Sequence, residues 1–447
     1  MARSNLKRMI IKGGMTGVIV AFFMCCETAA EGSNLKLWVT PTGGYIEQSA
    51  VQQLADDYHA ANSDVNIEIR ILDAETGDDE ITAAMGTEDA PDIVLSSPES
   101  IVTEWGSAGY MADLRSLWDE QAEREIDGEI REACVSRDGI YYQMPLFRDV
   151  YTMAINYDIF KKTSVLQYLN EDAHSWKDSG FIDCVLVMHD YFLQKEDKDI
   201  VVGKIPCKDR REQRFFMSFI TNLSNGHLVN DERTAYKISS SSIRNSFAIL
   251  SNLRGKGISY DTKMSSEDEM NRFLAGKLPI TFFWSYYKHQ KFADQADFIV
   301  FPMMYPNSKN IPVLTGDICG FGVVDNKDEQ KIQDAMEFVR FVTADAQEYE
   351  KAVSLSGCFP VRSSVYGDSV SGLYRTDEDS RLFRFFMEYF KDYEATMPLF
   401  SEMEDEWYDL VRQIAGGGKI KPLTTAIDEK LNKKLEEDYG IVEVVLE

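Results

Sequence analysis

Apolar and polar residues alternate along the first hundred residues with two distinct periods. Leu35, Leu37 and Val39 alternate with Lys36 and Trp38, a period of two that predicts a strand. Val51, Leu54, Ala55 and Tyr58 fall on one face of a predicted helix over 47–61. Val65, Ile67, Ile69 and Ile71 then interleave with Asn66, Glu68 and Arg70 as a second strand. A short helix near 79–85 leads to a third strand, Asp92 to Leu95. Strand, helix, strand, helix, strand at this spacing predicts a parallel sheet with crossover helices. In such sheets ligands lie beyond the carboxyl ends of the strands, which makes the Thr40–Tyr45 and Ser96–Glu99 loops a candidate site. Plain turn chemistry is the rival reading, since Pro41, Gly43, Gly44 and Pro98 also reverse a chain.

The middle of the chain continues as α/β with more helix. Helices are predicted over Ile182–Leu193, Ile243–Leu253 and Glu269–Leu274, and strands over Ile200–Ile205 and Leu278–Phe283. The last hundred residues read mostly as amphipathic helix: Ile332–Thr343, Leu382–Tyr393 and Glu404–Ile414. Trp105 and Trp118 sit at core spacing in predicted helices. The 447 residues exceed one ordinary domain and suit two. No Pro- or Ser-rich linker separates two bodies, so lobes joined by several short crossings fit better than beads on a string.

Residues 1–30 read as an export signal rather than as fold. Arg3, Lys7, Arg8 and Lys12 precede an uncharged run from Gly13 to Cys26, too short to anchor a helix across a bilayer. Two processing routes are open. Met24-Cys25-Cys26 resembles a bacterial lipobox, with Cys26 as the lipidated residue; alternatively Thr28-Ala29-Ala30 supplies the small residues for cleavage after Ala30. Either route exports the chain, to the outer face of the membrane or free of it. The net charge of −27 disfavours nucleic acid and anionic lipid surfaces as partners, so contact with a membrane is expected only through a lipid anchor. Cys134, Cys184, Cys207, Cys319 and Cys358 form no C-x-x-C pair, which argues against zinc and redox centres. A Cys184–Cys207 bridge is the one pairing considered, the rest being read as buried thiols.

Catalytic signatures are missing. His59, His174, His189, His227 and His289 are isolated, and neither H-E-x-x-H nor G-x-S-x-G occurs. Gly416-Gly417-Gly418-Lys419 has the glycines of a phosphate loop, but Ile420 stands where Ser or Thr is needed, and a helix C-cap explains them better. No catalytic residue, metal ligand or cofactor is assigned. A secreted carbohydrate-active enzyme is the runner-up class, and a surface adhesin or scaffold the third.

Several segments together resemble the extracellular solute-binding proteins of ABC importers, in the maltose-binding-protein-like family. Leu35-Lys36-Leu37-Trp38 followed by Gly43-Gly44-Tyr45 is similar to that family's first strand and ligand loop. Pro91-Asp92-Ile93-Val94 resembles its third strand, and Tyr141 to Asp158 its crossover into a second lobe. Phe273-Leu274-Ala275-Gly276-Lys277 and Gly357-Cys358-Phe359-Pro360-Val361 resemble later turns. The segment from His189 to Arg214 resembles no ligand motif. The resemblance implies an α/β, two-lobed periplasmic-binding-protein-like (type II) fold with an interlobe cleft and hinge. Lobe one would hold 34–149 and 313–345, and lobe two 150–312 and 346–447. It further implies a monomer that captures a carbohydrate, or a non-sugar solute such as a peptide or polyamine, and passes it to ABC permease subunits.

A sugar offers flat C–H faces and a rim of hydroxyls, so its site needs aromatic rings beside carboxylates, amides or Arg. The expected cleft loops supply Trp38, Tyr45, Ser97 and Glu99 from lobe one and Trp284 and Tyr286, with Tyr287 beside them, from lobe two. The crossings supply Phe147, Arg148, Asp149, Gly316 and Asp317, and the late helices Trp407. Asp149 resembles a carboxylate that contacts ligand in sugar-binding relatives. Trp38 has a core reading of equal weight, and Arg148 with Asp149 could form a local ion pair.

Overall fold

The computed structural model describes residues 33–195, 200–366, 377–391 and 396–441. Residues 1–30, expected to be an export signal, lie outside the described residues, Cys26 and Ala30 with them. The alternating segments form the predicted strands: β1 (Ser33–Val39), β2 (Val65–Ile71) and β3 (Ile93–Ser96), with β1 parallel to both others. Later strands are β4 (Met144–Arg148), β5 (Thr152–Asn156), β6 (Gly203–Pro206), β7 (Ile258–Asp261), β8 (Ile280–Trp284), β9 (Val300–Met303), β10 (Ile318–Val323) and β11 (Phe359–Pro360).

Three sheets result. The first has the order β11-β4-β10-β3-β1-β2, with β10 antiparallel to β3 and β4. The second is antiparallel, β8-β5-β9, and β6 and β7 form a parallel pair. The first sheet builds one lobe and the other two build the second. Strand β5, with Thr152 through Asn156 all buried, is the centre of the second lobe's main sheet. That continuous burial fits a strand covered on both faces.

The chain passes between lobes beside itself. The Asp149 amide donates to the Asp317 carbonyl at 2.9 Å, and the Tyr151 amide to the Thr315 carbonyl at 2.8 Å. A Cβ on Gly316 would lie 2.0 Å from the Asp149 carbonyl oxygen, so only glycine allows this approach. A third segment joins them: the Leu314 amide donates to Tyr389 and the Lys391 amide to Leu314. The crossings thus form a hydrogen-bonded ribbon.

Helix Ala346–Ser356 and β11 belong with the first sheet, which corrects the expected boundary at 345. The Tyr349 hydroxyl donates to the Leu146 carbonyl at 2.9 Å, the Tyr45 hydroxyl to the Ala352 carbonyl at 2.7 Å, and β11 pairs with β4. The apolar face of this helix, with Tyr349, Ala352 and Val353 buried, covers the sheet edge and so holds it in the first lobe.

Trp105 and Trp118 are core residues, although Trp118 follows a 3₁₀ turn, Arg115–Leu117, rather than lying in a helix. Gly416 caps helix Phe400–Ala415, and Gly417 takes φ +94°, a helix end rather than a phosphate loop. All five described cysteines are free and buried, so Cys184 and Cys207 do not bridge.

Two aromatic rings expected at the cleft lie inside the second lobe. Trp284 is fully buried against Phe273 and His289, and Trp407 is fully buried against Phe247. Replacing either by Ala is expected to destabilise folding by about 3–5 kcal/mol, read by urea denaturation. A loss below about 1 kcal/mol would contradict these core positions.

Asp149 stands at the crossing and ties it to the second lobe. Its Oδ1 accepts from the amides of Val150 (2.8 Å) and Tyr286 (3.0 Å), and its Oδ2 from Tyr287 (3.2 Å). It thereby holds the first turn of helix Tyr286–Phe292, where a negative charge is favoured. Burial nevertheless pushes its pKa up from 3.8 to about 6, against the lowering effect of Ser285 and the backbone amides. The native state therefore binds this proton more tightly than the unfolded chain. Its contribution to stability is full below about pH 4 and is lost as pH rises through about 6. Between pH 4 and 7 the wild type is expected to lose ~2–3 kcal/mol relative to Asp149→Asn in denaturant titrations. Parallel pH profiles for the two proteins would refute it.

Candidate functional site

Where the lobes face each other beside the crossing ribbon, they enclose a cavity of about 470 Å³, within the usual range for small-molecule sites. The first lobe contributes Pro41–Gly43 and Ile46, after β1, and Ala74 and Glu75, after β2. These loops follow the carboxyl ends of parallel strands, the expected place for a ligand. From the crossings come Asp149, Tyr151, Asp317 and, beyond β10, Cys358. The second lobe contributes Lys208–Asp209, Arg211–Glu212, Phe215, Ser265–Glu267, Ser285 and Tyr287–Lys288.

Several second-lobe groups are set by helix starts. Ser265 caps helix Ser266–Leu274 in a reciprocal box with Asp268. The Ser285 hydroxyl accepts from the Lys288 amide and caps helix Tyr286–Phe292. Phe215 lies in the first turn of helix Gln213–Leu223, stacked on Tyr151 with centroids 4.0 Å apart. Lys288 sits 4.3 Å from the Phe215 centroid and donates to Glu212 at 3.0 Å. Asp317, its side chain 24% exposed, accepts from the Tyr151 hydroxyl at 2.5 Å. Burial, reinforced by the Asp317 charge, pushes the Tyr151 hydroxyl well above its ordinary pKa, so it remains a proton donor.

Behind this cavity lies a buried ion cluster. Arg214 donates to Glu99 of the first lobe and, through Nε and Nη2, to Glu404 of helix Phe400–Ala415, with Nη2 at 2.9 Å from Oε2. Its Nη1 stands 3.8 Å from Asp317. Asp78 accepts from the hydroxyls of Thr40 (2.6 Å), Ser96 (3.2 Å) and Ser100 (2.7 Å). Burial alone would raise its pKa, but Arg211 leads the groups that hold it below the ordinary value. Glu99 goes the other way: burial, with Glu404 and Asp317 nearby, outweighs Arg214 and pushes it up.

The structure separates the sequence candidates. Asp149 and Asp317 line the cavity, and Tyr287 with them. Glu99 is behind it in the ion cluster, and Ser97 is buried close by in sequence with its hydroxyl unpartnered. Gly316 serves the crossing. Tyr45 and Phe147 pack edge to face in the first lobe's core, so neither ring reaches the cleft. Tyr286 is buried against Phe359 and bonded to Ser380 at 2.8 Å, facing away from the cavity that its neighbour Tyr287 lines. Trp284 and Trp407 are core, as described above. Trp38 is half-buried on the face of β1 opposite to Leu37 and Val39, where the pleat turns it, packed against a second core cluster and under the Arg70 guanidinium, 4.6 Å away. Arg148 pairs with Asp127 at 3.2 Å rather than with Asp149. Sequence reading missed Arg211, Glu212, Phe215 and Lys288. The signal that could have found them is Lys208-Asp209-Arg210-Arg211-Glu212-Gln213-Arg214, a basic cluster in a strongly acidic chain.

Among the described residues no helix is long and apolar enough to cross a membrane, and no His, Cys, Asp and Glu group is arranged to hold a metal ion.

Residues 43–178 match the family of bacterial extracellular solute-binding proteins. Among curated proteins, none matches this chain in sequence. Solved structures with the same fold include UgpB from Mycobacterium tuberculosis in complex with glycerophosphocholine, at TM-score 0.75 and 14% identity, covering 91% of this chain and 100% of that one. The GacH receptor of Streptomyces glaucescens, solved unliganded and with acarbose, gives 0.73 and 13%, covering 91% and 99%. The sugar-binding protein MalE from Xanthomonas citri gives 0.71 and 11%, covering 92% and 99%. At these identities the likeness is one of fold. Over residues 43–178 the chain is therefore similar in sequence to bacterial extracellular solute-binding proteins, and over nine-tenths of its length it has the fold of these solved structures.

Proposed function

We propose that this protein is the extracytoplasmic solute-binding component of an ABC importer, capturing a sugar or short oligosaccharide between its lobes without chemical turnover. The observation that carries this reading is the interlobe cavity, in which carboxylates from the crossings, Asp149 and Asp317, face aromatic and cationic side chains of the second lobe. Asp317 and Glu212 are acceptors for sugar hydroxyls, and Arg211 and Lys288 are donors. The Phe215 and Tyr287 rings offer apolar surface for C–H faces. A ligand touching both lobes favours the closed arrangement over an open one, since only closed lobes offer all its contacts at once.

Export by the amino-terminal signal puts the chain on the side of the membrane where it would meet the solute. Lipidation at Cys26 or cleavage after Ala30 would then decide whether it is tethered. The loaded protein would deliver its solute to membrane permease subunits.

A thermal-shift screen of the mature chain against sugars, oligosaccharides, amino acids and polyamines tests the ligand class. A ligand at a hundred times its Kd adds ~2.7 kcal/mol and raises Tm. Sugars alone are expected to do so; stabilisation by polyamines or peptides only would overturn the sugar assignment. With the stabilising sugar in hand, Asp317→Ala is expected to weaken binding ten- to a hundred-fold, about 1–3 kcal/mol by calorimetry. An unchanged Kd would remove Asp317 from the site. Hydrolysis products from that sugar would overturn the reading as a binding protein.

A further inference from the structure

The segment that matches no ligand motif of the family is the part of the second lobe that bonds across the cleft. Arg210, Arg211 and Arg214 lie at the entry to helix Gln213–Leu223, and each acts on the first lobe. The Arg210 amide donates to the Glu75 carboxylate at 2.9 Å and its Nη2 to the Glu75 carbonyl at 3.3 Å. The Arg211 Nη1 reaches the Ala74 carbonyl at 3.4 Å, and after burial its charge is the strongest influence on Asp78. Arg214 donates to Glu99.

The charged side chains that the first lobe brings to this contact are carboxylates: Glu75 and Asp78 from beyond β2, and Glu99 from beyond β3. The facing segment of the second lobe brings three guanidiniums, with Asp209 and Glu212 in the same stretch. Behind them, helix Phe400–Ala415 holds Arg210 through Asp405 and Arg214 through Glu404. This backing belongs to the same lobe, so it persists when the lobes part. It fixes the guanidiniums before contact, which lowers the ordering cost of closing. Burying charge is costly, and a lone interlobe pair would gain little. Here the cost is offset by charge-assisted hydrogen bonds to side chains and backbone alike.

We propose that Arg210, Arg211 and Arg214 form an interlobe clasp on the Ala74–Glu75 loop and Glu99 that holds the lobes closed before any ligand enters. The rate at which a solute enters then depends on how often the clasp lets the cleft open, while closure itself needs no contribution from the solute. The clasp rests on the chain's own charges, and it stands whether the solute is a sugar or not.

Small-angle scattering from the full mature chain without ligand tests it. The wild type is expected to give the compact profile of closed lobes. Glu99→Gln, which removes the interlobe charge and leaves Arg214 its Glu404 partner, is expected to raise the radius of gyration. Arg214→Lys should give an intermediate value, since it keeps the charge and loses the forked geometry. A wild type already expanded without ligand overturns the clasp. So does a Glu99→Gln variant that stays folded by circular dichroism and remains as compact as the wild type. If Glu99→Gln unfolds, Glu75→Gln, at the cleft rim, replaces it with the same two readings. Since no sugar is added, failure here leaves the proposed ligand untouched, and a wrong ligand leaves this result untouched.

Discussion

The pairing of the two central crossings sets the geometry of everything else. Asp149 to Tyr151 and Thr315 to Asp317 run side by side, bonded through their backbones, with Gly316 pressed on the Asp149 carbonyl. A single flexible linker would leave the lobes free to take many orientations. Two bonded strands, joined by Leu314 to Tyr389 and Lys391, limit relative motion to bending and twisting about one ribbon. Because β4 enters this ribbon and β10 leaves it, the first lobe's sheet and the cleft floor are one continuous piece of hydrogen bonding.

That constraint explains why polar groups crowd near the crossings. A carboxylate at Asp149 is positioned by three amides rather than by its own flexibility, and Asp317 by the Tyr151 hydroxyl. Both are therefore oriented before a ligand arrives, which lowers the entropy lost on binding. The same residues serve two ends. Asp149 holds the helix that presents Tyr287 and Lys288, so a change at the floor of the cleft also shifts its wall.

The ion cluster behind the cavity adds a second tie between lobes, of a different kind. The ribbon is bonded through backbone atoms and asks of its side chains chiefly that residue 316 be glycine, whereas Arg214 between Glu99 and Glu404 requires those side chains. The ribbon fixes the path along which the lobes approach. The charges then set how strongly they hold once together.

Periodicity alone made much of the fold legible. Alternation at Leu35–Val39 and Val65–Ile71 and the spacing of Val51, Leu54 and Tyr58 require a sheet and a covering helix, because each buries one apolar face. Order along the chain pointed to the loops after β1 and β3, since parallel strands carry their active loops at one end; the cavity is lined instead by the loop after β1 and by Ala74 and Glu75 after β2, with Glu99 behind it. Side-chain destination was another matter. Trp284, Tyr286 and Trp407 carry the same aromatic chemistry as Phe215 and Tyr287, and only packing decided that the first three fill the core while the other two face the cleft. Nor does anything local in Arg210-Arg211-Glu212-Gln213-Arg214 say that it meets Glu75 and Glu99, more than a hundred residues away. The sequence determined which elements form and where charge is available. Which charges meet, and which rings a solute can touch, was decided when the crossings brought two distant sheets face to face.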